Sequence, residues 1–207
     1  TFENCEFLYS ISLMMNRIRV IPSGAFRRNE YLASLRLDGN SIQFIAPDSL
    51  IGTQLYSLNL EYNQLTSISR ALIAPIAQHL MFLDLRNNRI ASLPRRIFDG
   101  MRRMYYLDLT GNPVQVIPSD TFHSMPNLGR LLIADCGLST LTARHFQEKP
   151  FLWQLEVDGN HFTYFAPNVF NLPSLENLGI SANRIEMLDS ASFGASLASL
   201  THISAIS

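Results

Sequence analysis

Apolar residues in this chain recur in a pattern that fits neither one helix nor one ordinary strand. Within "LDLTGNPVQVIPSDTF", residues 107–122, Leu107 and Leu109 alternate with polar residues, which predicts a short strand with one buried face. An Asn-Pro pair ends that strand, and a looser apolar run then leads to Phe122. A strand, a turn and a returning segment together describe one turn of a coil.

The pattern repeats along residues 1–207 with a spacing of 23–25 residues. Its consensus, L-x-x-L-x-L-x-x-N-x-L-x-x-L-P-x-x-x-F, predicts eight complete repeats, which begin at residues 8, 32, 55, 80, 104, 128, 152 and 175. The late apolar column reads Phe26, Leu50, Ile73, Phe98, Phe122, Phe146, Phe170 and Phe193. Because each repeat of a solenoid packs only on its neighbours, we expect a single elongated domain.

A polar column ends each predicted strand. It reads Asn16, Asn40, Asn63, Asn88, Asn112, Cys136, Asn160 and Asn183. An asparagine amide at this point can bond backbone groups that the turn leaves unpaired, so we expect a structural ladder. Gly39, Gly111 and Gly159 stand immediately before the ladder position and suit a sharp turn.

With this consensus the chain resembles the leucine-rich repeat family, whose units run about 20–29 residues. The resemblance implies a right-handed α/β solenoid, a horseshoe with a parallel β-sheet on its concave face. Its convex face would hold irregular, 3-10 or short helical segments, and "SRALIAPIAQH", residues 69–79, predicts a helical turn there. Both ends fall inside partial repeats without polar caps, so we expect an interior part of a longer protein.

The residues that flank the buried leucines of each strand are expected on the concave face. Small polar residues occupy both ends of that face, whereas aromatic and charged residues cluster in the middle repeats. The candidate partner-binding residues are Phe82, Asp84, Arg86, Tyr106, Asp108, Arg130, Glu61 and Glu156. The aromatic residues would be anchors, the aspartates acceptors and the arginines forked donors, a mixture typical of binding hot spots. A surface with ion pairs inside the sheet and no partner is the alternative.

The position just before each strand adds further aromatic side chains. They are found, together with one methionine, at Tyr9, Tyr56, Met81, Tyr105 and Trp153. Such amphipathic rings can cover the edge of a sheet, and that is the role expected for them here.

Composition narrows the function classes. The net charge of −1 gives no basic excess that would predict nucleic acid or an anionic membrane as a partner. No apolar run reaches the roughly 18 residues of a membrane span, so we expect no direct membrane insertion. The sequence has no H-E-x-x-H, G-x-G-x-x-G, P-loop, C-x-x-C or G-x-S-x-G motif, and its histidines lack a common metal spacing. We therefore expect no enzymatic activity, no cofactor and no metal.

The two cysteines cannot form a disulfide with each other. Cys5 and Cys136 lie more than five repeats apart, roughly 25 Å at about 4.8 Å per strand, whereas a disulfide needs Cα atoms within about 7 Å. Two buried free thiols are one expectation. A bond from Cys5 to a part of the protein outside this sequence is the other.

The sequences of the return segments favour an extracellular recognition protein over an intracellular scaffold. "VIPSGAF", "SLPRRIF" and "VIPSDTF" are similar to extracellular animal leucine-rich repeats, such as Toll-type receptors, Slit-like and neuronal adhesion proteins and secreted insect immune proteins. That resemblance implies a protein-recognition module that is secreted or at the cell surface and serves innate immunity or cell-surface recognition. Its protein partner would bind the concave face, and any oligomer would form through regions outside this sequence. The unpaired cysteines and the absence of an N-x-Ser/Thr sequon leave open an intracellular scaffold or regulatory arm.

Overall fold

Within residues 2 and 4–205, which the computed structural model describes, nine three-residue strands form one parallel sheet. The strands in chain order are β1 (Ser10–Ser12), β2 (Val20–Ile21), β3 (Ser34–Arg36), β4 (Phe44–Ile45), β5 (Ser57–Asn59), β6 (Phe82–Asp84), β7 (Tyr106–Asp108), β8 (Arg130–Leu132), β9 (Gln154–Glu156), β10 (Asn177–Gly179) and β11 (His202–Ser204). The sheet order is β1-β3-β5-β6-β7-β8-β9-β10-β11, while β2 pairs with β4 separately. Each repeat therefore adds one strand beside the last, which confirms the predicted solenoid.

The return segments of the described chain are mostly turns with a few short helices. They hold one α-helix, α1 (Arg70–Ile73), and the 3-10 helices Ala143–Phe146, Ser190–Ser192 and Gly194–Ala198. Helix α1 lies in the segment that departs from the consensus, and Ser69 caps it by accepting a hydrogen bond from the Leu72 backbone N–H at 3.2 Å. Of the helices that the structure describes, none combines the length and apolar character needed to span a bilayer.

The core lies between the sheet and the return segments. Within the nine-stranded sheet, the central residue of every strand from β3 to β10 is buried, whereas at least one flanking residue is more exposed. On the other side of the core, the late apolar column from Phe26 to Phe193 is buried throughout. Burying one such side chain contributes about 1.5–3 kcal/mol, so these two layers supply most of the stabilisation.

Asparagine side chains tie each repeat to the one before it. The Nδ2 atom of Asn88 donates to the carbonyl oxygens of Leu85 and Leu60, each at 2.9 Å, and its Oδ1 atom accepts from the Leu65 N–H at 3.0 Å. Leu85 belongs to the same repeat, while Leu60 and Leu65 belong to the preceding one. The same three bonds recur at Asn40, Asn63, Asn112, Asn160 and Asn183. Asn16 is exposed and donates to Leu13 and Met14 of its own repeat.

The residue before each ladder position has a left-handed backbone. The φ angles run from +51° to +72° at Met15, Gly39, Tyr62, Asn87, Gly111, Asp135, Gly159 and Ala182. Glycine adopts this conformation without strain, which explains the three glycines that the sequence shows there. The geometry of the turn, and not the residue type, is therefore common to all the repeats.

Cys136 interrupts the ladder. Its sulfur lies 3.3 Å from the carbonyl oxygens of Leu109 and Ala134, but it offers no amide oxygen to Val114. The Val114 N–H bonds instead to the Asn112 carbonyl at 2.8 Å, within its own repeat. Burial raises the pKa of the Cys136 thiol to about 12, so this thiol stays protonated.

The two cysteines differ in exposure. Both are free, but Cys5 is exposed and only Cys136 is buried. The expectation of two buried thiols is therefore wrong for Cys5, which lies among the turns before β1 and outside the buried ladder column that holds Cys136. A bond from Cys5 to a part of the protein outside this sequence stays a prediction.

Lys149 occupies a column that three other repeats fill with large buried apolar side chains. The equivalent position, three residues before the first leucine of the next repeat, holds Met101, Met125 and Leu172, all buried. Lys149 is only 2% exposed, and its Nζ atom donates to the Gln147 carbonyl at 2.8 Å. Loss of hydration on burial lowers the pKa of this amine to about 8.

Candidate recognition surface

The concave face carries its large side chains on neighbouring central strands. Phe82, Tyr106 and Arg130 stand in register at the first position of β6, β7 and β8. Asp84 and Asp108 stand in register at the third position of β6 and β7. Because adjacent strands lie about 4.8 Å apart, the structure brings the predicted residues of three repeats together.

Aromatic rings and one guanidinium form a continuous layer over these strands. We call this layer the aromatic platform; it consists of Tyr56, Phe82, Tyr105, Tyr106, Arg130 and Trp153. The Phe82 ring contacts Tyr56, Tyr105 and Tyr106 at centroid distances of 6.4, 5.9 and 6.5 Å. The guanidinium carbon of Arg130 lies 5.1 Å from the Tyr106 ring centroid and 5.6 Å from that of Trp153. Each group is thus held by its neighbours, with cation–π attraction fixing Arg130 between two rings.

Tyr105 and Trp153 belong to this platform, although the sequence predicts only that they cover the sheet edge. The Nε1 atom of Trp153 donates a hydrogen bond to the Tyr105 hydroxyl at 3.1 Å. The Tyr105 ring passes over Gly129, where an added Cβ would lie 2.4 Å from a ring carbon. Gly129 stands in the same pre-strand column as Tyr105 and Trp153, and a glycine between two bulky residues is the sequence signal for their contact.

Asp84 is a half-buried carboxylate of this surface. One carboxylate oxygen accepts from the Arg86 backbone N–H at 3.0 Å. Loss of hydration raises the pKa of Asp84 to about 6 against the lowering effect of that N–H, and the negative charges of Asp108 and Glu61 add to the rise. The group is thus charged at neutral pH at a cost in free energy.

Asp108 lies beneath the surface and not on it. It is 0% exposed, and its carboxylate accepts from the Tyr106 hydroxyl at 3.1 Å and from the Thr110 backbone N–H at 2.8 Å. The prediction of Asp108 as an acceptor for a partner is corrected accordingly, because its neighbours cover it and use both oxygens. Burial, followed by the charges of Asp108 and Asp84, raises the pKa of Tyr106. The Tyr106 hydroxyl therefore stays protonated and donates to Asp108.

Arg86 is committed to a neighbour on the sheet. Its guanidinium bonds the Glu61 carboxylate through Nε, at 2.9 Å from Oε1, and also through Nη2. Arg86 is therefore part of an ion pair within the sheet, which is the arrangement expected if this surface had no partner. Arg86 contributes its backbone N–H to Asp84, but its side-chain charge is directed to Glu61.

Glu156 lies at the far side of the platform within a polar chain. The Nε of Arg130 donates to the Gln154 side-chain oxygen at 2.6 Å, and the Gln154 amide donates to Glu156 at 2.8 Å. Burial raises the pKa of Glu156, and hydrogen bonding to the Asp158 carboxyl adds to the rise. Both carboxyl groups converge over Gly179, where an added Cβ would meet them at 1.8 and 2.1 Å.

A shallow cavity opens beside the platform. Its volume is about 330 Å³, and residues along its wall include Ser57, Asn59, Phe82, Asp84, Tyr106 and Arg130. Among the described residues, no three or more His, Cys, Asp or Glu side chains are arranged to hold a metal ion. The cavity therefore combines aromatic walls with one half-buried carboxylate, and its described residues lack the ligand set of a metal site.

The repeat signature matches a known family. The model of the family described as "Leucine rich repeat" matches residues 7–65, 53–114, 78–138 and 102–162, which overlap along most of the chain. The chain belongs to the leucine-rich repeat family. Its relatives include extracellular proteins of that family, and their alignments run through the repeats described above.

Two curated relatives illustrate the match. Leucine-rich repeat-containing G-protein coupled receptor 5 of Xenopus tropicalis is 30% identical over 176 residues, which cover 85% of this chain and 19% of the receptor. Tsukushi of Mus musculus is 27% identical over 206 residues, which cover 86% of this chain and 58% of that protein. This leucine-rich repeat chain thus spans between about a fifth and three fifths of the length of these relatives.

A solved structure shows the same architecture in an assembly. It is the octameric complex of Latrophilin 3, Unc5D and FLRT2, in which FLRT2 is the leucine-rich repeat component. The matched chain superposes with a TM-score of 0.84 at 26% identity, covering 97% of this leucine-rich repeat chain and 61% of that chain. The sheet and return segments described here therefore have the arrangement found in that structure.

Proposed function

We propose that this chain is a non-enzymatic recognition module that binds a protein partner on the concave face of its central repeats. The observation that carries the proposal is the aromatic platform, which places tyrosine, tryptophan and arginine side chains side by side on consecutive strands. These are the residue types that dominate binding hot spots. The rings are already packed on one another, so they lose little conformational freedom when a partner binds.

The partner would contact the aromatic rings at the centre of this surface more closely than the charged residues at its edges. Phe82, Tyr105 and Tyr106 would supply the apolar contacts, with Arg130 presenting guanidinium N–H groups beside them. The Glu61–Arg86 ion pair and Glu156 would form the polar rim on either side. Rim charges influence association rate and selectivity more than affinity, so the rings are expected to supply most of the binding free energy.

The setting we propose is outside the cell or at the cell surface. The similarity to a G-protein coupled receptor, to Tsukushi and to the FLRT2 component of a multiprotein complex supports this setting and a protein as the partner. A role in innate immunity or cell-surface recognition is the finer part of the proposal, and it rests on the likeness of the return segments to Toll-type and adhesion proteins.

An intracellular scaffold is the second candidate. The exposed free thiol of Cys5 and the absence of an N-x-Ser/Thr sequon favour it. Mass spectrometry of the full-length protein from its native source separates the two candidates. A cleaved signal sequence and disulfide-bonded flanking segments support the extracellular setting, whereas an uncleaved start and reduced cysteines support the scaffold.

The surface is tested with matched tyrosine variants. The domain is screened against a panel of secreted and cell-surface proteins, and Tyr105→Ala is compared with Tyr164→Ala for each protein that binds. Tyr164 is 64% exposed in a return segment and provides a control of the same residue type. We expect Tyr105→Ala to weaken binding at least tenfold, about 1.4 kcal/mol, and Tyr164→Ala less than twofold. A larger effect of Tyr164→Ala would move the partner to the outer face and overturn the proposal.

A further inference from the structure

The cavity beside the aromatic platform has an acidic group without a counter-charge of its own. Asp84 accepts one backbone N–H, but no cationic side chain within the described part of the chain forms an ion pair with its carboxylate. Two other carboxylates of the concave face, Asp38 and Glu61, are each paired with an arginine. Asp38, on an earlier repeat, is bonded by Nε and Nη2 of Arg36, both at 3.2 Å.

The side chains of Arg86 and Arg130, the two arginines nearest to Asp84 on the sheet, are bonded to other residues. The guanidinium of Arg86 is bonded to Glu61. Arg130 stands on β8, two strands from Asp84, where it lies against Tyr106 and Trp153 and donates to Gln154. Arg130 lines the same cavity as Asp84, but among the described residues no ion pair joins these two side chains.

Apart from Arg130, whose guanidinium is held by two aromatic rings and Gln154, the side chains of the cavity wall suit a positive charge as well. Phe82 and Tyr106 line it with aromatic rings, whose faces carry partial negative charge and attract ammonium and guanidinium groups. The side chains of Ser57 and Asn59 stand on the neighbouring strand and offer oxygen acceptors to N–H donors. An inorganic cation fits less well, because the described residues assemble no group of three metal-ligating side chains.

We propose that this cavity binds a cationic side chain, lysine or arginine, presented by the protein partner. The cation would pair with the Asp84 carboxylate and lie against Phe82 and Tyr106, with Asp108 adding negative potential from below. This inference rests on the proposed function, because it names the chemistry of the partner at that same surface. It also explains why a carboxylate that costs free energy in the unbound protein is kept in the middle of the platform.

Small probes test the cavity without knowledge of the partner. n-Butylammonium and n-butylguanidinium are titrated at constant ionic strength, with n-butanol as the neutral control of the same chain length. Backbone amide chemical shifts of Asn59 and Asp84 report binding, and Trp153, the chain's single tryptophan, gives a fluorescence signal from the edge of the platform. We expect saturable shifts around Asp84 with the two cations and none with butanol.

Matched variants then separate specific capture from general attraction by negative charge. Asp84→Asn keeps the size of the side chain and an oxygen for the Arg86 N–H, and we expect it to weaken binding of the cations at least tenfold. Asp38→Asn removes a carboxylate that already has a counter-charge, and we expect less than a twofold change. Equal binding by the wild type and Asp84→Asn, or equal binding of butanol, would overturn the inference.

The partner itself distinguishes this inference from the proposed function. If Tyr105→Ala weakens a partner found in the screen while Asp84→Asn does not, the recognition surface stands and the cation inference falls. If the cations bind through Asp84 but neither variant changes affinity for the partner, the cavity binds small cations only, and both the proposed surface and its use by a partner side chain fall. Loss of affinity in both variants, together with loss when one partner lysine or arginine is replaced by methionine, supports both.

Discussion

The side-chain oxygen of Asn88 accepts a hydrogen bond from the backbone nitrogen of Leu65, 23 residues earlier, at 3.0 Å. The amide nitrogen of the same side chain donates to Leu85 and Leu60. One residue therefore satisfies three backbone groups that belong to two repeats, and it fixes the return path of one repeat against the strand of the next.

Replacing Asn88 should destabilise the fold without disturbing its surface. We expect Asn88→Ala to lower the free energy of unfolding by about 1–3 kcal/mol, because it leaves buried N–H and C=O groups unpaired. The urea midpoint, followed by circular dichroism, measures the change.

The control for this variant follows from the backbone of the preceding residue. Asn87 has a φ angle of +53°, so Asn87→Gly should change stability by less than about 0.5 kcal/mol. Asn87→Ala, which the sequence alone would suggest as the neutral neighbour, should instead cost about 1 kcal/mol because alanine is strained in this conformation. Equal midpoints for Asn88→Ala and Asn87→Gly would contradict the ladder.

Asp84→Asn should stabilise the protein at neutral pH. The pKa of Asp84 is raised from 3.8 to about 6 in the folded protein. The protonated carboxyl group is therefore favoured by folding: the wild type has its full free energy of unfolding below about pH 4 and loses part of it as the pH rises through 6. The variant does not ionise, and we expect it to be more stable than the wild type by about 1–2 kcal/mol at pH 7.4, allowing for partial exposure. Thermal unfolding at several pH values measures the difference, which should vanish near pH 4. A variant that is less stable at pH 7.4 would show that Asp84 supports the fold.

Lys149→Met should stabilise the core. Methionine fills the same column at Met101 and Met125, and the substitution removes a buried ammonium, so we expect a gain of about 1–3 kcal/mol at pH 7. Because burial lowers the pKa of Lys149 to about 8, the wild type should regain stability as the pH rises from 8 towards 10.5. Urea midpoints at pH 7 and pH 9.5 test this, with the exposed Arg144→Met as control. A constant difference at both pH values would argue against the charge as the cause.

The sequence predicted the architecture because the architecture is periodic. A spacing of 23–25 residues determines which strand lies beside which, so the sequence alone predicts that Phe82, Tyr106 and Arg130 stand on adjacent strands. The ladder was predictable for the same reason, since the asparagines fall at one position of the repeat. The register of the sheet, and hence the composition of each column, follows from the period alone.

The balance of charges within the surface was not predictable from the sequence. Arg86 lies near both Glu61 and Asp84 in the repeat alignment, and only side-chain geometry directs its guanidinium to Glu61. The burial of Asp108 depends on the Tyr106 hydroxyl that covers it, which is a matter of rotamer and not of spacing. The contact between Tyr105 and Trp153 crosses a whole repeat at Gly129, so a pattern confined to one repeat does not reveal it.

The substitution at Cys136 has a mechanical consequence for the solenoid. In the other central repeats, the asparagine side-chain oxygen accepts a hydrogen bond from a backbone N–H of the preceding repeat. Cys136 has no such oxygen, and the Val114 N–H bonds within its own repeat. In a structure whose cohesion is a sum of nearest-neighbour interfaces, the weakest interface decides where the assembly separates first. Under a stretching force, the missing side-chain acceptor would lower the resistance of the interface between the repeats that begin at 104 and 128, which lies directly beside the strand that carries Tyr106. A partner bound across this interface would then resist its separation, and tension along the protein would weaken the binding of that partner.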